Sequence, residues 1–155
     1  MSDYFDNQDA PSPAPSGIAH RLEKWFPQIS KDKIDHIDRY YDELMKFNRT
    51  INLISSNSVK SADIVHFADS ISACQIIEPA LILDAPVYDF GSGNGFPGLI
   101  FGILFPKTKV ILIERDSKKA EFLKHLRGIL NLRSVEVHNM EAALRVALSH
   151  LNGSH

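Results

Sequence analysis

The twelve residues Val87–Gly98, VYDFGSGNGFPG, constrain this chain more than any other stretch. Pro86 is followed by an apolar alternation, Val87 to Phe90, that reads as a short strand. Gly91, Gly93 and Gly95 then recur at every second position, and Pro97 and Gly98 follow. Proline suits the first turn of a helix, where its missing N–H costs nothing. A strand, a glycine turn and a helix start in succession let a nucleotide-like ligand approach the backbone closely.

Gly93-Asn94-Gly95-Phe96-Pro97-Gly98 satisfies G-x-G-x-x-G, a pattern that says little about the ligand when found alone. Asp89 says more. At the carboxyl end of the strand it would repel the pyrophosphate of a dinucleotide, which lies against such a loop and the helix N-terminus. It would attract a cation. S-adenosylmethionine (SAM) has no phosphate and carries an ammonium and a sulfonium, so D-x-G-x-G-x-G fits SAM better than a nicotinamide cofactor. A second acid agrees. Lys109–Glu114, KVILIE, reads as the next buried parallel strand, and Glu114 ends it. Glu114 lies nineteen residues beyond Gly95, near the spacing at which an acid reaches ribose hydroxyls in such folds.

At 155 residues the chain has room for one domain with an ordinary core. The formal net charge of −2 gives no global positive field for nucleic acid, although a local basic face would suffice for RNA. One cysteine, Cys74, excludes an intrachain disulfide and suits a reducing compartment; it reads as a small buried hydrophobe. No apolar run reaches the length of a membrane span, and Asp3, Asp6 and Asp9 are unlike a signal peptide. A soluble, cytoplasmic protein is the expectation. The seven histidines and the cysteine show no metal-ligand spacing, and no nucleophile elbow is present.

Residues 1–17, rich in Pro, Ser and Asp, read as a disordered leader. Residues 18–80 read as a helical N-terminal extension. It begins with a short helix over Ile18–Phe26, ended by Pro27. Ser30 is a fitting N-cap for an amphipathic helix over Lys31–Phe47, with Ile34, Ile37, Tyr41, Leu44 and Met45 on its apolar face. Asn48–Ser58 reads as a loop anchored by Ile51, Leu53 and Ile54. A helix over about Ser61–Ile77 places Ile64, Ala68, Ile71 and Cys74 on one stripe. Residues 81–155 alternate strands and helices: strand 87–90, helix 96–105, strand 109–114, helix 117–130, strand 135–138 and a helix about 141–151. The order implies an α/β domain with a parallel, right-handed arrangement.

Several segments resemble one family. FNRTINLIS (47–55), VHFADSIS (65–72), YDFGSGNGFPG (88–98), LIERDSKKAEFLKHL (112–126) and VEVHNMEA (135–142) are similar, in order and spacing, to the RsmG (GidB) family. Its members are bacterial 16S rRNA guanine-N7 methyltransferases. The resemblance implies a Rossmann-like, class I SAM-dependent methyltransferase fold, of which this chain shows the first half of the sheet. It also implies SAM as cofactor and 16S rRNA of the small ribosomal subunit as partner. Asp89, Gly91, Ser92, Gly93, Gly95 and Phe96 fall on the cofactor strand and loop, Glu114 on the ribose acid, and Met140 and Glu141 on the pair along the adenine. Asn139 departs from the family, which commonly has Arg there.

The family's later strands, with an active-site Arg and an acceptor-base loop, have no match here, so no catalytic side chain is assigned. With the first strand central in the usual order, its far edge would be bare, an association liability. The strand's composition expects cover on both faces. Self-association through that edge, or weak solubility, is therefore expected, with methyl transfer by this chain alone slow or absent. The alternative is a non-catalytic SAM-binding or interaction module completed by a partner. Lys118, Lys119, Lys124 and Arg127 read as a solvated helix face, the last two favouring the helix dipole, and otherwise as an RNA-facing patch. His66 and Asp69, three apart on a helix, could be neighbours near the cofactor mouth. Guanine N7 is a ring nitrogen with its own lone pair, so its methylation demands positioning more than a strong base.

Overall fold

The computed structural model describes residues 17–141. The leader expected over 1–17, apart from Gly17, and the helix expected about 141–151, apart from Glu141, lie outside the described residues. In chain order the elements are α1 (Ala19–Trp25), α2 (Lys31–Phe47), α3 (Ser56–Val59), a π-helical stretch (Asp63–Ala68), α4 (Asp69–Ile77) and a 3-10 turn (Glu78–Ala80). These are followed by β1 (Val87–Phe90), α5 (Gly98–Leu104), β2 (Val110–Glu114), α6 (Ser117–Ile129) and β3 (Val135–Asn139).

Apolar periodicity sets α2. Ile34, Ile37 and Leu44 are fully buried, and Tyr41 and Met45 pack beside them. Ser30 takes extended backbone at the N-cap, but its side chain makes no capping bond; its carbonyl accepts from Ile34 N–H at 3.1 Å instead. The loop after α2 is shorter than expected, because Ser55 caps the single turn of α3 through Ser58 N–H.

The next helix differs in phase from the expected stripe. Its first part, Asp63–Ala68, is π-helical, and an i→i+5 turn delays the return to the core by one residue. Core positions run Ala62, Phe67, Ile71 and Cys74, so the intervals are five, four and three. Ile64, expected inside, is 56% exposed, and Phe67 takes the core position.

The sheet is parallel, in the order β1-β2-β3, with Val87 level with Val110 and Val110 with Val135. Helices α5 and α6 pack on one face, and α2 and α4 lie over them. Sandwiched this way, α5 buries all seven residues, which explains why GLIFGIL is apolar all round. One hydrophobic cluster runs from Ile18 through α2 and α4 to Val135, joining the N-terminal helices to the sheet. The expected helix 96–105 is shorter, because Pro97 occupies the N-cap and Gly98 begins the helix. Burial of β1 on both faces is not observed: Tyr88 and Phe90 are 54% and 70% exposed.

Candidate functional site

Glycine is required by the backbone where β1 ends. Gly91, Gly93 and Gly95 have φ of 72°, 54° and 103°, a region other residues enter only with strain. Ile113 O accepts the N–H groups of both Gly91 and Ser92, at 2.8 and 3.2 Å, so the turn is pinned to the end of β2. The glycines then divide the work. A Cβ on Gly91 would meet nothing within 4 Å, and one on Gly93 only the Gly91 carbonyl at 3.8 Å. This part of the turn leaves backbone open to a ligand. A Cβ on Gly95 would strike the Tyr40 hydroxyl and crowd Leu99 and Leu123, and one on Gly98 would strike Asp89 and Leu112. Those two glycines permit close packing of turn, helix and strand.

Both acids hold this turn. Asp89 Oδ2 accepts the N–H of Gly98 at the start of α5, at 3.1 Å. The Ser92 hydroxyl, itself buried, donates to the Asp89 carbonyl at 2.8 Å. Burial pushes the Asp89 carboxyl above its ordinary pKa, with Glu114 adding to the rise, while bonds from Gly98 and Ser92 oppose it. Glu114 is buried at the end of β2; its Oε2 accepts Gly93 N–H at 2.6 Å and its Oε1 accepts Asp116 N–H at 2.8 Å. Each carboxylate oxygen keeps a second lone pair, so Glu114 can brace the turn and still accept from a ligand. Neither acid faces a cation in an ion pair among the described residues.

The N-terminal helices support the turn from behind. Tyr40, fully buried on α2, donates its hydroxyl to Asn94 O at 2.5 Å. Asn94 in turn donates its amide to Leu53 O at 2.9 Å. Asn48, at the C-cap of α2, accepts the N–H groups of Leu53 and Ile54 at 2.9 Å each. The FNRTINL stretch is therefore a clamp that fixes the glycine turn. Phe96 points into these helices: its ring lies near-parallel to Tyr40 (5.2 Å, 16°) and His66 (5.3 Å, 21°), with Phe67 edge-on at 4.8 Å. Burial lowers the pKa of His66, and the Asp69 charge opposes this. Cys74 is a buried neutral thiol, Sγ 3.8 Å from Pro97 O, its pKa pushed up to about 12 by burial and then by Asp89.

Sequence reasoning overlooked Tyr40 and Asn94. Tyr40 was legible in principle: it stands three residues after Ile37 and four before Leu44, a helical core position that the adjacent Tyr41 also nearly satisfies. Nothing in the sequence marks Asn94, whose partners come from two distant segments.

Parallel pairing brings the remaining candidates to the same edge. Glu114 is level with Asn139, so Met140 and Glu141 follow at the carboxyl end of β3, both exposed. Asn139 Nδ2 donates to Arg115 O and Ser117 Oγ at 3.4 Å each, holding the start of α6 to β3. On α6, Lys124 pairs with Glu121 at 3.2 Å, and Arg127 Nε donates to Val135 O. The carboxyl ends of three parallel strands thus lie at one edge of the sheet, the edge at which open α/β sheets hold ligands.

Residues 33–147 match the family model described as rRNA small subunit methyltransferase G, GidB. Among curated proteins, ribosomal RNA small subunit methyltransferase G 3 of Bdellovibrio bacteriovorus is 48% identical over 134 residues, covering 86% of this chain and 59% of the relative. Ribosomal RNA small subunit methyltransferase G of Mycoplasma mycoides subsp. mycoides is 37% identical over 114 residues, 74% of this chain and 81% of the relative. That of Dehalococcoides mccartyi is 37% identical over 114 residues, with 47% of its length covered. The chain thus spans little more than half the length of the first of these relatives. The matched span holds the glycine turn, both acids and the FNRTINL clamp, and on these grounds the chain belongs to the rRNA small subunit methyltransferase G (GidB) family.

Proposed function

We propose that the protein binds SAM at the Gly91–Phe96 turn and takes part in N7-methylation of a guanosine in 16S rRNA of the small ribosomal subunit. The observation that carries the reading is the open backbone at Gly91 and Gly93 between two strand-end carboxylates, Asp89 and Glu114, in a chain of this family. That donor set suits a cationic, phosphate-free ligand. Glu114 accepts the ribose hydroxyls through the lone pairs its backbone bonds leave. Asp89 sets a negative field beneath the cationic end, and the exposed residues Met140 and Glu141 border the adenine. Phe96 serves through its backbone, its ring being committed to Tyr40 and His66.

SAM, when bound, supplies a methyl group already activated on sulfonium. The protein's part is to hold that group in line with the acceptor nitrogen. Guanine N7 offers its lone pair without losing a proton, so the reaction demands no strong general base. The basic residues Lys118, Lys119 and Lys124 of α6 are exposed or half-exposed and supply a local face for RNA phosphates.

Transfer of labelled methyl from SAM to undermethylated small-subunit RNA, with the product base identified by mass, tests the proposal. Labelled 7-methylguanosine is expected. Tight SAM binding without any transfer would favour a cofactor-binding module that acts with a partner.

A further inference from the structure

His66 lies on the π-helical stretch Asp63–Ala68, and such turns within helices often mark functional positions. Its ring stacks on Phe96, the residue that follows the last glycine of the turn. Its Nε2 is buried and has no hydrogen-bond partner among the described residues. A buried polar atom without a partner is costly and calls for an explanation.

The other polar side chains against the turn are already engaged within the protein. Tyr40 donates to Asn94 O, Asn94 to Leu53 O, and Ser92 to Asp89 O. Asp89 and Glu114 can only accept when ionised. A ligand that brings an ammonium and a sulfonium to these acids also brings a carboxylate at its methionyl end, and both acids repel it. The imidazole is only half-buried as a whole, and its stack on Phe96 sets it beside the turn.

We infer that His66 is a cofactor contact whose Nε2–H donates to the methionyl carboxylate of SAM. The inference rests on the cofactor reading above and names the residue that holds the end of the ligand farthest from the ribose.

Titration calorimetry with two probes tests it. S-adenosylhomocysteine carries the methionyl carboxylate; 5′-methylthioadenosine carries the same nucleoside and thioether without it. His66→Phe keeps a ring on Phe96 and removes the nitrogen, and His66→Ala serves as a second variant. Loss of a hydrogen bond to a charged group should weaken S-adenosylhomocysteine about ten- to a hundredfold in both variants, with 5′-methylthioadenosine unchanged. Equal weakening of both probes would overturn the inference and assign His66 to packing alone. Unchanged binding of both would overturn it as well. If the parent protein bound neither probe, the cofactor reading itself would fall, and this inference with it.

Discussion

At Asp89, burial and the charge of Glu114 lift the carboxyl pKa, while the N–H of Gly98 pulls it back. A carboxyl whose folded pKa lies above its unfolded value favours folding most at low pH, and that contribution is lost as pH rises through the folded pKa. The ionised Asp89 therefore costs stability at neutral pH, and a cationic ligand beside it offsets that cost. Asp89→Asn keeps an oxygen for Gly98 and removes the charge. It should stabilise the fold at pH 7, with the gain shrinking as pH falls through the Asp89 pKa, and should weaken SAM binding. Denaturant melts across pH, with a SAM titration at pH 7, check both halves. A destabilised Asn variant at pH 7 would contradict this account. The acid was legible in the sequence because it ends a strand before a glycine turn. Its bond to Gly98 was not, since that bond depends on how the turn folds back over nine residues.

Among the elements, the bounds of α2 were legible, because one apolar stripe runs between Pro27 and the polar Asn48–Ser58; the core place of Tyr40 was not. The π-helical turn was not: α-helical spacing puts Ile64 inside, and only tertiary packing reveals Phe67 in its place. FNRTINLIS reads in the sequence as an anchored loop, yet what it holds depends on tertiary contacts. Asn48 satisfies two part-buried backbone donors, and the loop it shapes holds Asn94. Asn48→Ala should cost about 1–3 kcal/mol of stability, and so several degrees of melting temperature by calorimetry. Binding of S-adenosylhomocysteine should weaken with it, whereas Asn48→Asp, which keeps the acceptor, should do less harm. An Ala variant that melts with the parent would show that water replaces the clamp at no cost.

Across the whole molecule, the helices cover one face of the sheet and leave Tyr88 and Phe90 exposed, their rings 6.1 Å apart, on a strand whose outer edge is unpaired among the described residues. An apolar strand with an open edge invites pairing. A polypeptide of these 155 residues should self-associate, as seen by light scattering, and Tyr88→Lys with Phe90→Lys should shift it toward monomer. A parent protein that stays monomeric on concentration would contradict this. The parallel three-stranded order and the gathering of Gly91, Glu114 and Met140 at one edge follow from strand spacing and were legible in advance. The central claim is that the open glycine turn between Asp89 and Glu114 is a SAM site. Titration of S-adenosylhomocysteine into the parent and into Gly93→Val tests it most directly, with NADH as the competing ligand. One-to-one binding by the parent, weakened roughly tenfold or more in the variant, with no binding of NADH, is the predicted result. Equal binding by Gly93→Val, or binding of NADH in place of S-adenosylhomocysteine, would contradict it.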